Sequence, residues 1–98
     1  MVVKEKRGRR RYIAFTVSAA HTKDSLVRSL REFPGAPYVI QCSEGWAIVR
    51  CSPEETDASV SAMLLADPSS VSLRTSGTLA ALRGRYPELE RLRPPKKF

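Results

Sequence analysis

The chain is poor in the groups from which protein active sites are built. His21 is its only histidine, and Cys42 and Cys51 are its only cysteines. A structural zinc site needs four ligands, and the C-x-x-C spacing that supplies two of them is missing. Both cysteines lie inside apolar, strand-like runs, where a free thiol behaves as a small buried hydrophobe. No carboxylates cluster at metal-ligand spacing, and no nucleophile has a base beside it, so no catalytic residue and no metal ligand is expected. Long apolar runs are also missing: none approaches the ~20 residues that cross a bilayer. Met1-Val2-Val3-Lys4 is not followed by the apolar stretch of a secretory signal. The expectation is a cytoplasmic protein without a membrane partner. There is no internal repeat and no Ser/Gly linker, and 98 residues suffice for one domain with a modest core but not for two.

Positive charge is what the chain has in excess, a formal +7 concentrated at its ends. Lys4, Lys6, Arg7, Arg9, Arg10 and Arg11 face only Glu5, so residues 1–11 carry +5. Residues 74–98 hold seven cationic side chains against Glu88 and Glu90, again +5, which leaves the middle at −3. Basic ends on an acidic middle suit a polyanion, because each Lys or Arg placed at a phosphate releases a condensed counterion. The competing reading is that charge blocks are solvated tails. The chain divides into a basic arm, residues 1–11, a single domain, residues 12–93, and a basic tail, residues 94–98.

Residues 12–17 alternate in the manner of a strand, with Ile13, Phe15 and Val17 on one face and Tyr12, Ala14 and Thr16 on the other. Thr22 caps a helix reaching about Phe33, where Pro34-Gly35 stops it. Residues 37–51 read as a hairpin around Glu44-Gly45. That two-residue loop puts Tyr38, Ile40, Cys42, Ala47, Val49 and Cys51 on one apolar face, with Val39, Gln41, Trp46, Ile48 and Arg50 on the other. The same register sets Cys42 and Cys51 near opposite ends of paired strands, beyond the ~7 Å across which a disulfide forms. Ser52-Pro53-Glu54-Glu55 carries the marks of a capping box opening a helix over residues 53–66. A fourth strand follows at residues 71–75. A last helical region starts after Ser76-Gly77-Thr78, breaks at Gly84 and restarts after Pro87. The order is that of an α+β, ferredoxin-like βαββαβ sandwich with a four-stranded antiparallel sheet and a C-terminal helical tail.

Arg11-Tyr12-Ile13-Ala14-Phe15, Thr22-Lys23-Asp24, Ala47-Ile48-Val49-Arg50-Cys51, Arg74-Thr75 and Ser76-Gly77-Thr78, in that order over about three quarters of the chain, resemble archaeal ribonuclease P protein component 2. The resemblance implies an RNA-recognition-like α/β sandwich and binding to the catalytic RNA that removes 5′ leaders from precursor tRNA. It also implies pairing with ribonuclease P protein component 3 and other proteins of that particle. The chain itself would bind no cofactor; hydrolysis would belong to Mg²⁺ held by the RNA.

Several residue groups are candidates for the RNA contact. Lys4, Lys6, Arg7, Arg9, Arg10 and Arg11 can follow a phosphate backbone as an arm that orders on binding. Arg50 and Arg74, placed beside Tyr12 and Trp46 on the second sheet face, offer a guanidinium and aromatic platform. Alternatively, the C-terminal helix covers that face and buries its aromatics. Ser76, Gly77 and Thr78 can present N–H groups to a phosphate at a helix start, with Arg83 and Arg85 nearby, or they form an ordinary helix cap. Val60, Met63 and Leu64 belong to a helix too apolar for one sheet to cover, so a second cover is needed, either the C-terminal segment of the same chain or a partner protein, and the resemblance points to the partner. A different class of function remains open, a ferredoxin-like interaction or regulatory domain without RNA. It predicts a shallow salt dependence of polyanion binding where the RNA reading predicts a steep one.

Overall fold

Ile13, Ala14 and Phe15 are consecutive and fully buried. Side chains alternate along a strand, so both faces of this one must be covered. The three residues belong to β1 (Arg11–Thr16) in a computed structural model that describes residues 10–94. The arm residues Lys4, Lys6, Arg7 and Arg9, and the tail from residue 95 onward, lie outside the described residues. After β1 come α1 (Lys23–Leu30), β2 (Tyr38–Ser43), β3 (Trp46–Cys51), a 3-10 turn (Pro53–Glu55) and α2 (Thr56–Ala66). They are followed by β4 (Val71–Ser76), α3 (Leu79–Arg85) and α4 (Pro87–Arg91). The four strands make one antiparallel sheet in the order β2-β3-β1-β4, the expected ferredoxin-like arrangement with β1 and β3 central. Among the described residues no helix is long and apolar enough to cross a membrane.

The first face of the sheet packs Ile13, Phe15 and Val17 against Leu26 and Leu30 of α1 and against Ala62 and Met63 of α2. α1 opens on a reciprocal cap: the Thr22 hydroxyl accepts the Ser25 N–H at 3.1 Å, and Ser25 Oγ accepts the Thr22 N–H at 2.9 Å. The helix stops at Leu30, short of Phe33, because a residue before proline is pushed out of helical geometry. The expected Ser52 cap does not form. The Glu55 N–H is taken instead by the Ser52 carbonyl oxygen at 3.0 Å, so the chain turns as a 3-10 segment before α2 begins. Met63 is fully buried with Ser59 and Ala62 on the inner face of α2, which corrects its assignment to a protein interface. Val60 is half-buried against the same core, while Leu64 and Leu65 are exposed.

Ser59 Oγ is buried without a hydrogen-bond partner. Ser59→Ala removes that stranded hydroxyl and improves helix propensity, so it should stabilise the fold by about 1 kcal/mol. The measurement is the urea midpoint at unchanged m-value; a lower midpoint would show that the hydroxyl is satisfied in solution.

The β2–β3 hairpin has the expected two-residue loop, with Ser43 opposite Trp46. Glu44 (φ 51°) and Gly45 (φ 87°) both adopt the left-handed geometry that a tight primed turn requires. Its far half departs from the expected register. A bulge between Val39 and Gln41 sets Ile40 out of the ladder, so Val39 pairs with Val49 and enters the first core, while Ile40 joins the opposite face. One extra residue inverts the period of two, and Tyr38 lands opposite Arg50 instead of on the Cys42 face. Cys42 lies opposite Ala47 and Cys51 opposite Arg11, and both thiols are free.

The second face is covered by α3 and α4. Ala14, Ile48, Leu82 and Leu89 are each fully buried there, with Tyr12, Ile40, Trp46, Leu73, Leu79 and Tyr86 packed around them. The helical break falls at Tyr86 rather than Gly84: α3 runs through Gly84 to Arg85, and Pro87 forces the preceding residue out of the helix. Gln41 fixes both helices from below. Its Nε2 donates to Leu89 O at 3.1 Å, and its Oε1 accepts from Arg83 Nη2 at 2.6 Å and Nε at 3.2 Å. The amide thereby meets the requirement that buried polar groups be paired.

Candidate nucleic-acid interface

Antiparallel pairing gathers at one end of the sheet cations that are far apart in sequence. The start of β1 lies beside the end of β3 and the end of β4: Arg11 faces Cys51, Tyr12 faces Arg50 on one side and Ser76 on the other, and Ala14 faces Arg74. Arg10 precedes this row, and the Arg11 Nη1 lies 3.9 Å from where a side chain on Gly77 would begin. Arg10 and Arg74 are exposed, and Arg11 and Arg50 are half-buried. Arg50 holds its guanidinium 4.6 Å above the centre of the Tyr38 ring, within cation–π range. Arg10, Tyr38, Arg50 and Glu55 line a groove of about 300 Å³ at this end.

Other expected contacts are placed differently. The platform of Tyr12 and Trp46 is not open, because α3 and α4 lie over it and Trp46 packs on Tyr86 with ring centroids 6.0 Å apart. Ser76 and Thr78 act as a cap: Ser76 Oγ accepts the Thr78 N–H at 3.3 Å, and Thr78 Oγ1 accepts the Ala81 N–H at 3.2 Å. With both hydroxyls so engaged, and Gly77 between them, this segment starts a short helix instead of presenting a phosphate cradle. Arg83 is half-buried and turned onto Gln41, so two of its nitrogens are withdrawn from any outside partner. Burial and the neighbouring Arg93 lower its pKa from the usual guanidinium value. Arg85 remains exposed on α3.

One arrangement was not legible in the sequence, where no nucleophile had a base beside it. Ser25 Oγ lies 3.1 Å from His21 Nδ1, and His21 Nε2 lies 3.5 Å from Asp67 Oδ2. The line has the order of a hydrolytic triad, but its hydroxyl is part of the α1 cap, contacting both the N–H and the carbonyl oxygen of Thr22. None of the three residues borders the groove at the basic end. Asp67 is the keystone of this line. Its Oδ2 accepts the Ser18 N–H at 2.8 Å, and its Oδ1 accepts the Ser69 N–H at 2.9 Å and the Ser69 hydroxyl at 2.6 Å. The line therefore ties α1 to the turn between α2 and β4. Cys42 nearby is held protonated, pushed up to about 11 by burial and by the charge of Asp67, and so supplies no thiolate at neutral pH. Among the described residues no group of three or more His, Cys, Asp or Glu side chains is placed to hold a metal ion.

Burial acts to raise the Asp67 carboxyl, but the bonds from Ser18 and Ser69 and the nearby His21 outweigh it and hold the group below its ordinary 3.8. A depressed folded-state value contributes stability above the unfolded value that is lost as pH falls through the folded value. Acidification below pH ~4 should therefore destabilise the wild type more than Asp67→Asn, which lacks the titrating group. Urea midpoints measured at pH 6 and pH 3 give the comparison. Equal losses in the two proteins would remove Asp67 from the acid response.

Compared with protein-family models, with curated proteins and with solved structures, the chain matches none.

Proposed function

We propose that this chain is an RNA-binding subunit of an archaeal-type ribonuclease P, supporting a catalytic RNA in the removal of 5′ leaders from precursor tRNA. The observation that carries the reading is the gathering of Arg10, Arg11, Arg50 and Arg74 at one end of the sheet by strand pairing. The net charge of +7 and the ordered motifs that resemble protein component 2 support it. Phosphate contacts position a protein on RNA without reading sequence, which suits arginines at a sheet end better than a closed aromatic face. In this reading hydrolysis belongs to the RNA and its Mg²⁺, and the protein supplies charge and shape in the cytoplasm. Crosslinking in a cell extract followed by sequencing of the attached RNA tests it. One abundant structured RNA is expected; a scatter of unrelated RNAs, or none, would overturn the reading.

The partner protein in this proposal, ribonuclease P protein component 3, meets α2 through Leu64 and Leu65. Leu64 and Leu65 are adjacent and 47% and 62% exposed, where among the described residues the other exposed large hydrophobics, Tyr38 and Val71, stand singly, and exposed apolar patches mark interaction surfaces. Leu64→Glu should reduce co-purification with that partner at least tenfold while the circular-dichroism spectrum of the isolated chain is unchanged. Retention of both would put the partner surface elsewhere.

A further inference from the structure

Tyr38 is 56% exposed, although it is aromatic and sits on a strand. The Arg50 guanidinium lies over its ring at 4.6 Å. Two grooves meet beside it. One, of about 300 Å³, has Arg10, Arg50 and Glu55 in its walls. The other, of about 210 Å³, lies between β2 and α1 and is walled by Val27 and Leu30 with Lys23 and Arg31 beside them. Ala36, Pro37 and Tyr38 line both, so they form the ridge between the two.

From this geometry we infer that the edge of β2 is a binding site for single-stranded RNA, in which one unpaired base stacks at Tyr38 while the flanking phosphates are met by Arg10 and Arg50 at the first groove and by Lys23 and Arg31 at the rim of the second. The inference rests on the RNA-binding reading and names the form of RNA that this edge takes. Charge complementarity selects the occupant. Each groove has two cationic side chains, and among the described residues Glu55 is the only acidic one lining either. A phosphate on each side of the ridge is therefore favoured, and the Glu55 carboxylate can accept from the amino group of an unpaired base, whose edges are free. Shape selects single-stranded over duplex RNA. Each groove is at or below the lower end of the range for small ligands, and a duplex keeps its bases stacked inside, out of reach of a side chain. Aromatic stacking of splayed bases between phosphate-tracking cations is the usual means of holding single strands. In this chain the covered second face leaves that role to a strand edge.

The test is fluorescence anisotropy with a labelled twelve-nucleotide single-stranded RNA of mixed sequence and the corresponding twelve-base-pair RNA duplex. Wild type should bind the single strand more tightly than the duplex at equal salt. Tyr38→Ala should weaken single-strand binding roughly tenfold or more, with the slope against log salt unchanged, because stacking is lost and no charge is removed. Tyr38→Trp should restore the affinity, which separates stacking from a change of fold, and circular dichroism of both variants confirms the latter is intact. Arg50→Gln should reduce the slope by about one. Equal binding of the single strand by wild type and Tyr38→Ala overturns the inference and leaves the RNA reading standing. If wild type binds neither RNA, both fall.

Discussion

Replacing Arg10, Arg11 and Arg50 together by glutamine should lower affinity for the RNA recovered by crosslinking by about a hundredfold near 0.1 M salt. It should also flatten the dependence of log affinity on log salt by roughly two units. The magnitude follows from counting contacts. Each phosphate neutralised contributes a slope of about 0.7 to 0.9, and each charge-assisted contact at a partly solvated site adds about 1 kcal/mol, so three give about 3 kcal/mol. The control is an equal removal of charge elsewhere. Arg28 is exposed on the last turn of α1, and Arg91 and Arg93 are exposed on α4 and just beyond it. Glutamine at those three positions changes the net charge of the chain by the same amount. If both triple variants lose affinity equally, binding is set by net charge alone and the basic end of the sheet has no special part in it. If only the first loses affinity, the position of the charges matters, which is what strand pairing at that end provides.

The parts of the fold that were legible in the sequence are those that follow a local period. The face of Ile13, Phe15 and Val17, the Thr22 cap and the Glu44-Gly45 turn each depend on a few adjacent residues, and each is found as expected. Irregularities within a strand are not local in that sense. The bulge at Ile40 exchanges it with Val39 because Val39 fits beside Val49 in the first core while Ile40 fills the second, a choice made by packing on both faces at once. It moved Tyr38 from an expected core face to the exposed row opposite Arg50, and so hid the residue on which the strand-edge inference turns. Gln41 did leave a signal, a lone amide inside an apolar strand, since such a group needs buried partners. The partners it found, Arg83 and Leu89, lie on the C-terminal helices, which the sequence offered as one of two alternatives for that face without deciding between them.

If the chain binds RNA as proposed, the closed second sheet face limits how it can do so. An RNA-recognition sheet stacks bases on aromatics across its open strands. In this chain Trp46 is used to hold Tyr86, and Arg83 is used to hold Gln41. What remains for a polyanion is the rim: the sheet end with Arg10, Arg11 and Arg74, and the β2 edge with Tyr38 and Arg50. Under the proposed function such a rim would meet backbone and unpaired bases, with no broad surface for reading several bases in a row. On that proposal, recognition of one particular RNA then has to come from its folded shape and from other proteins bound to it.

The same closure makes α4 a structural necessity, and Leu89→Ala should destabilise the chain by about 3 kcal/mol. Leu89 is fully buried with Ala14, Ile48 and Leu82, and truncating a buried leucine costs roughly 2 to 5 kcal/mol through lost transfer energy and the cavity left behind. The loss cannot be absorbed by α4 alone. A helix of five residues is far below the ~12 at which isolated helices become even marginal, so it is held by Leu89, by the Gln41 bond to the Leu89 carbonyl oxygen and by an exposed pair between Arg91 and Glu44 at 3.6 Å. Such exposed pairs contribute at most about 1 kcal/mol. Once Leu89 no longer fills its place, α4 leaves the sheet, Gln41 loses its acceptor, and the packing of Trp46 on Tyr86 loosens with it. Urea denaturation followed by tryptophan fluorescence reports the result, since Trp46 is the only tryptophan. Leu64→Ala on the exposed side of α2 is the reference and should cost under about 1 kcal/mol. A Leu89→Ala cost as small as that of the reference would mean that α4 is an appendage and that the second face of the sheet is open to RNA after all.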